Sequence, residues 1–206
     1  MPRMDSRSSS ASEALPGAGR LAAAVGEVLT RTPPAEAVDE GHRAAVLILL
    51  YDLDGAPHFV LTKRTETLEH HPGQVSLPGG RWDVDDRDLA VTALRETHEE
   101  LGVPPAAVRV VGRLGDVSTM VSGFVVAPYV GWAEGPLSPV PSEWEIARVL
   151  EVPVSSLLEA DAVLPRDPDV VSLRYPLLGE DVWGATARIL REFAAVVRAS
   201  LSGGVA

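Results

Sequence analysis

Arg95-Glu96-Thr97-His98-Glu99-Glu100-Leu101-Gly102-Val103 places three glutamates at i, i+3 and i+4. On a helix those positions are neighbours. At about 100° per residue the carboxylates share one sector of roughly 100°, while Ala90, Leu94, Thr97 and Leu101 share a separate one of roughly 60°. The spacing predicts a helix over Asp88–Leu101, stopped by Gly102 and followed by Pro104-Pro105. One stripe can pack on a core while the carboxylates project elsewhere. Three clustered carboxylates repel each other, and a divalent cation relieves that repulsion; hard oxygen donors suit Mg²⁺ or Mn²⁺. Taken alone, such a triplet more often just faces water. Its surroundings favour a site. Pro78-Gly79-Gly80 lies upstream, where glycine lets backbone approach a ligand closely, and Arg95 stands beside the cluster, able to orient a glutamate.

Outward from this helix the chain alternates strands and turns. Ala44–Tyr51 is a continuous β-prone run, the mark of a buried strand. Asp54-Gly55 is a hairpin turn and His58–Thr62 the returning strand. Residues 65–80 read as a loop or irregular strand. Downstream, Val108–Leu114, Phe124–Trp132 and Ile146–Val152 read as strands, Ser155–Leu158 as a short helical turn, and Val170–Tyr175 as a late strand. Trp183–Ala199 is an amphipathic helix with Ile189, Leu190, Phe193, Val196 and Val197 on one side. A short helix is expected over Arg20–Leu29, ended by Thr32-Pro33-Pro34. Residues 1–19, rich in Ser, Ala, Pro and Gly, are expected to be a disordered tail, and 201–206 a flexible C-terminus, around one domain over 20–200. The element order points to an α+β fold, an α/β/α sandwich around a mixed sheet, rather than a doubly wound parallel sheet.

Composition narrows the function classes. The chain of 206 residues is 46% hydrophobic and 23% charged, the balance of a globular domain. Its 18 basic and 29 acidic residues leave a formal net charge of −11, with no Lys/Arg run. Polyphosphate backbones are repelled by such a chain, so nucleic acid is not an expected partner. An anionic substrate must be drawn in by local arginines or bound cations. Cysteine is absent, which excludes disulfides and thiolate metal sites. The N-terminus has no apolar signal core and Ala44–Tyr51 is too short to span a bilayer, so a cytoplasmic protein away from membranes is expected.

The helix and its flanks resemble the Nudix signature, Gly-x5-Glu-x7-Arg-Glu-U-x-Glu-Glu-x-Gly-U, with U aliphatic. Arg95-Glu96, Glu99-Glu100, Gly102 and Val103 match it. Gly80 and Arg95 are 15 positions apart, one more than in the pattern. The first Glu of the pattern falls at Arg87, so Asp86 or Asp85 is left to supply its carboxylate, and Thr97 replaces an aliphatic residue. The likeness extends further. Leu61-Thr62-Lys63-Arg64, Leu68, His70 or His71, Gly73-Gln74-Val75-Ser76 and Pro78-Gly79-Gly80 look like the segment before the box in the coenzyme A diphosphatase subgroup. Ser122-Gly123-Phe124, Pro128, Ser142-Glu143-Trp144-Glu145, Val152-Pro153 and Val182–Ala187 are similar to that subgroup as well. Three positions depart from it: Glu69 stands where the subgroup has arginine, Thr65 where it has serine or alanine, and Leu77 where it has phenylalanine.

This resemblance implies a Nudix fold and hydrolysis of a diphosphate linkage in a small nucleotide-derived substrate, with Mg²⁺ or Mn²⁺ as cofactor. It implies metal ligation by Glu96 and Glu100, with Glu99 as a third carboxylate that also serves catalysis, and Arg95 as their positioner. Gly79 and Gly80 let the substrate approach. Coenzyme A or an acyl-coenzyme A is the leading substrate. A sugar nucleotide, ADP-ribose or a dinucleotide is the alternative favoured by Glu69. A ligand sensor is opposed by the intact carboxylates, and RNA decapping by the net charge. A second copy of the chain, in a homodimer, is left open as a partner. Glu143 or Glu145 could supply a general base from outside the box, Glu145 being the better candidate; the exposed-loop reading is favoured for both, more so for Glu143. Arg64 is read either as a phosphate contact or as a surface ion pair. His70, His71 and His98 are read as surface positions before ligands.

Overall fold

In the computed structural model, the described residues are 15–32, 42–68, 71–119, 123–135, 137–165 and 173–203. Glu69 and His70 lie outside them, as does most of the expected tail. The long apolar run forms strand β1 (His42–Leu53), and the Asp54-Gly55 turn returns it as β2 (Ala56–Arg64). Asp54 and Gly55 both adopt positive φ, as a tight hairpin turn demands. Short strands β3 (Val75–Ser76) and β4 (Gly79–Arg81) lead into α2 (Leu89–Leu101). Then follow β5 (Val108–Arg113), β6 (Val117–Ser118), β7 (Phe124–Ala133), β8 (Ile146–Pro153), α3 (Val154–Ala162), β9 (Arg174–Leu177), β10 (Glu180–Trp183) and α4 (Gly184–Ser202), with α1 (Ala18–Arg31) preceding them all.

The main sheet has eight strands in the order β3-β2-β1-β7-β5, with β4 added on β1, β6 on β7 and β8 on β2. It is mixed: β1 runs parallel to β7 and antiparallel to β2 and β4. The side-chain period of two divides β1 between two cores. Ala45, Leu47, Leu49 and Tyr51 pack with Ala93 and Leu101 of α2. Ala44, Ile48 and Leu50 share the other core with Leu21 and Val25 of α1 and Ile189, Leu190, Phe193 and Val197 of α4. The expected α/β/α sandwich is therefore present, with α2 on one face and α1 and α4 on the other.

Several elements differ from the sequence expectation. Helix α1 starts at Ala18, inside the expected tail. Gly17 has no side chain to cap it; the Ala18 N–H donates instead to Asp52 Oδ1 of β1 at 2.7 Å. A cap supplied from another element leaves no local signal. The turn at Ser155–Leu158 is a nine-residue helix, α3. Trp183 ends β10 rather than opening α4, and β9–β10 is a separate two-stranded hairpin. At the other end, α4 carries through to Ser202, into the segment expected to be flexible. None of the described helices is long and apolar enough to cross a membrane.

Phe193 anchors α4 to the sheet, packing edge-on to Phe59 with ring centroids 6.1 Å apart. Both rings are fully buried. Phe193→Ala is expected to cost about 3–5 kcal/mol and Phe193→Leu clearly less, because the first leaves a cavity the sheet cannot close. Urea unfolding of the two variants measures the difference.

Candidate active site

Helix α2 is built to hold a fixed register. Asp88 caps it, its Oδ1 accepting the Val91 N–H at 2.9 Å. Gly102 ends it in the left-handed region, φ 68°, its N–H donating to the His98 carbonyl at 2.8 Å. The buried residues of α2 are Thr92, Ala93, Thr97, Glu100 and Leu101. That corrects the expected division of the helix into an apolar stripe and a separate acidic one. Glu100 lies within the buried stripe, only 4% exposed, whereas Ala90 and Leu94 are half-buried at its margin.

The three glutamates have different surroundings. Arg95 donates to Asp86 through Nε and Nη2, at 3.1 and 3.0 Å, and to Glu96 through Nη1 at 3.0 Å. The same Nη1 reaches Glu99 at 3.2 Å, and Nη2 also donates to the Arg81 carbonyl at 3.0 Å. Of the two aspartates left open by the sequence, Asp86 is the one that meets Arg95. It is buried, also accepts the Thr92 hydroxyl at 2.8 Å, and is held below the usual carboxylate range chiefly by its hydrogen bond from Arg95. Glu99 is exposed and held by Arg95. Glu96 is half-buried, and burial pushes its carboxyl up, partly offset by Arg95.

Glu100 faces the glycine strand. Its Oε2 accepts the Gly79 N–H at 3.3 Å. Burial pushes its carboxyl up to about 8, opposed by that N–H and by Arg64 and reinforced by Glu96 and Glu145. The two glycines make room for this. Gly79 sits at φ 144°, and a Cβ there would lie 2.3 Å from the Ala45 carbonyl; a Cβ on Gly80 would lie 2.5 Å from the Glu96 carboxylate. No other residue fits either place without displacing backbone or the glutamate.

Glu145, in the turn just before β8, and Arg64, at the end of β2, complete the group. The Thr65 N–H donates to the Glu145 carbonyl, the Glu145 N–H to Ser142, and the Ser142 N–H to the Glu100 carbonyl. This backbone relay brings an exposed glutamate within electrostatic reach of Glu96 and Glu100. Glu143 is exposed, as are His71 and His98. Arg64 Nε is buried with no hydrogen-bond partner among the described residues, and its charge acts on Glu100. Leu77 is buried in the core shared with α4 rather than lining this site, and the Thr65 hydroxyl donates to the Trp144 carbonyl at 3.1 Å.

Among the described residues, no three His, Asp or Glu side chains form a ready-made metal cage, because Arg95 draws Glu99 outward. The donor chemistry nevertheless fits a hard divalent cation. Glu100 is a buried carboxylate with a single N–H partner, next to a second carboxylate and opposite a third. A cation supplies the compensation that burial removes.

Residues 41–172 match the NUDIX domain family. The chain belongs to the Nudix family. It is 40% identical over 164 residues to the uncharacterized Nudix hydrolase NudL of Enterobacter sp. (strain 638), covering 74% of this chain and 81% of the relative. The NudL protein of Pectobacterium atrosepticum is 35% identical over 167 residues, covering 79% and 86%. Among solved structures, a Caenorhabditis elegans Ap4A hydrolase binary complex superposes with TM-score 0.53 at 16% identity, over 79% of this chain and 98% of that one. The NUDIX domain of Shewanella oneidensis NrtR complexed with ADP ribose gives TM-score 0.51 at 17% identity, over 79% and 90%. At these identities the structures establish the shared fold; the sequence relatives make this Nudix protein a hydrolase.

The raised Glu100 carboxyl carries a stability consequence for the metal-free protein. Its folded value lies above its unfolded one, so the folded state binds the extra proton. Stability is then fully present near pH 4 and is lost as pH rises toward about 8. Glu100→Gln, which keeps the acceptor for Gly79, is expected to melt higher than wild type in EDTA at pH 8. The gain is on the order of 2–4 kcal/mol, shrinking toward zero at pH 4. Thermal melts across that range check it, and a pH-independent difference would remove Glu100 as the cause.

Proposed function

We propose that this hydrolase cleaves the diphosphate linkage of a nucleoside diphosphate derivative, with coenzyme A or an acyl-coenzyme A as its substrate. The products are then 3′,5′-ADP and the corresponding phosphopantetheine. The observation that carries the hydrolytic reading is the buried Glu100 carboxylate, held against the Gly79 N–H, with Glu96, Glu145 and Arg64 around it. The choice of coenzyme A rests on the likeness of Leu61–Arg64, Gly73–Ser76 and Pro78–Gly80 to the coenzyme A diphosphatase subgroup.

In this reading Glu96 and Glu100 would hold Mg²⁺ or Mn²⁺, with Glu99, now paired with Arg95, as the third carboxylate. When bound there, such a cation would supply charge neutralisation on the diphosphate and a lowered barrier to ionising the attacking water. Glu145, exposed at the rim and tied to α2 through Ser142, accepts the proton of that water. Water adds to one phosphorus, the bridging anhydride bond breaks, and the second phosphate leaves with the bridging oxygen. Arg64 faces the same space and offsets the negative charge gathered there. Gly79 and Gly80, without side chains, let Glu96 and Glu100 close on the strand beside which the phosphates would bind. Arg95, already bonded to Asp86, Glu96 and the Arg81 carbonyl, keeps helix and strand in register while charge moves.

ADP-ribose or a dinucleotide is the second reading, carried by Glu69, an anion where the subgroup has arginine. A hydrolysis screen over coenzyme A, acyl-coenzyme A, 3′-dephospho-coenzyme A, ADP-ribose, NADH and dinucleoside polyphosphates decides between them. Turnover should vanish in EDTA and return with Mg²⁺ or Mn²⁺. Preference for ADP-ribose over coenzyme A would transfer the assignment to the second reading, and full turnover in chelator would end the metal mechanism.

Glu100→Gln is expected to lower kcat by on the order of 10²-fold or more, the scale of losing a directed electrostatic contact. Glu145→Gln should lower kcat and remove the acidic limb of the pH–rate profile. A Glu145→Gln profile identical to wild type would assign the base elsewhere.

A further inference from the structure

Arg81 follows Gly80 on β4, yet the two residues face opposite sides of the sheet. Gly80 pairs with Ala45, which lies in the core beneath α2; Arg81 pairs with Ala44, in the core shared with α1 and α4. There Arg81 helps line a cavity of about 250 Å³ with His42, Arg43, Trp82 and Phe124. Its guanidinium carbon stands 4.8 Å from the Phe124 ring centroid, and the His42 ring lies 5.6 Å from the same centroid. The Arg81 side chain is exposed and, among the described residues, has no carboxylate at ion-pair distance. A chain with a net charge of −11 thus leaves the Arg81 guanidinium with no carboxylate partner among the described residues.

We propose that Arg81, placed over the Phe124 ring, binds a phosphate that the substrate's nucleoside half carries outside the scissile diphosphate. This rests on the diphosphate-hydrolase reading of the site across β4. A guanidinium held flat on an aromatic ring keeps its N–H edge free and pre-organised for bidentate contact with a phosphate. Trp82, 45% exposed, and Phe124 offer faces to a base or sugar beside it. The volume is below the roughly 300–1,000 Å³ of pockets that hold whole ligands, so the cavity takes part of one. The cavity is also tied to the catalytic group. The Arg81 carbonyl accepts from Arg95 at 3.0 Å, and the Trp82 indole N–H donates to the Asp86 carbonyl at 3.1 Å. Gly80 and Arg81 are adjacent on β4, so the carboxylate beside Gly80 and the arginine cavity lie one residue apart along the strand.

Adenosine 3′,5′-bisphosphate and 5′-AMP test this directly. Neither contains an anhydride, so calorimetric titration in Mg²⁺ reads binding without turnover. Wild type is expected to bind the bisphosphate about tenfold more tightly than AMP, the scale of one charge-assisted contact. Arg81→Gln should lose that preference while binding AMP as before, and Arg81→Lys should keep part of it, retaining charge without the fork. Equal affinity of wild type for the two ligands overturns the proposal, as does a preference that survives in Arg81→Gln. Kinetics supply a second readout. Arg81→Gln should raise KM for coenzyme A about tenfold, with kcat within about twofold and 3′-dephospho-coenzyme A little affected. If wild type hydrolyses neither compound, the catalytic reading fails, and the binding preference still decides the fate of Arg81.

Discussion

A carboxylate placed in the apolar stripe of a helix is the constraint around which the rest of this molecule is arranged. Burying Glu100 costs free energy that the neighbouring N–H and arginine only partly return. The fold tolerates this because α2 is secured by other means. Leu101 and Ala93 pack on β1, Asp88 and Gly102 define the helix ends, and loop 137–145 is bonded to the final turn through Val140 and Ser142. Strand β4 is then committed to glycine, because Glu96 and Glu100 occupy the space beside it.

Arg95 converts this local arrangement into a rigid one. A single guanidinium bonds the loop carboxylate of Asp86, the helix carboxylates of Glu96 and Glu99, and the backbone of β4. Lysine could not replace it, since a point charge with one nitrogen cannot span acceptors in these directions. The same hub explains why Glu96 and Glu99, three residues apart on one helix, stand in different environments: the ion pair draws Glu99 outward, whereas Glu96 remains against Gly80.

The acidic helix, the glycine turn and the main strands were legible in the sequence because each carries its own local signal: spacing, composition and punctuation. Glu145 was legible only through a family resemblance, and its place is set by backbone bonds from the loop before β8 to Thr65 and to the end of α2 that no short window contains. The burial of Glu100 was not legible at all. Helical periodicity groups the glutamates together, and only the glycine strand decides which of them is covered. The choice of Asp86 over Asp85 had the same origin, as a turn from Asp83 to Asp86 aims one carboxylate inward. The start of α1 depended on Asp52, and the β9–β10 hairpin on pairing between short segments whose first expected residues lie outside those described.

The parallel pairing of β1 with β7 also governs how the molecule comes together. Hairpin β1–β2 closes over a two-residue turn, but β7 can join β1 only after the chain has made the intervening loop, α2 and β5. Such non-local closure carries its entropy cost before its contacts repay it, which slows folding. Helix α2 is the crossover of that parallel pair, so its carboxylates acquire their fixed separation from the rest of the group only once the centre of the sheet has closed. A nascent chain emerging through β4 and α2 already displays every signature glutamate while lacking the framework that gives them a shared pocket. The capacity to hold a diphosphate is therefore acquired late in biogenesis, together with the tertiary structure as a whole.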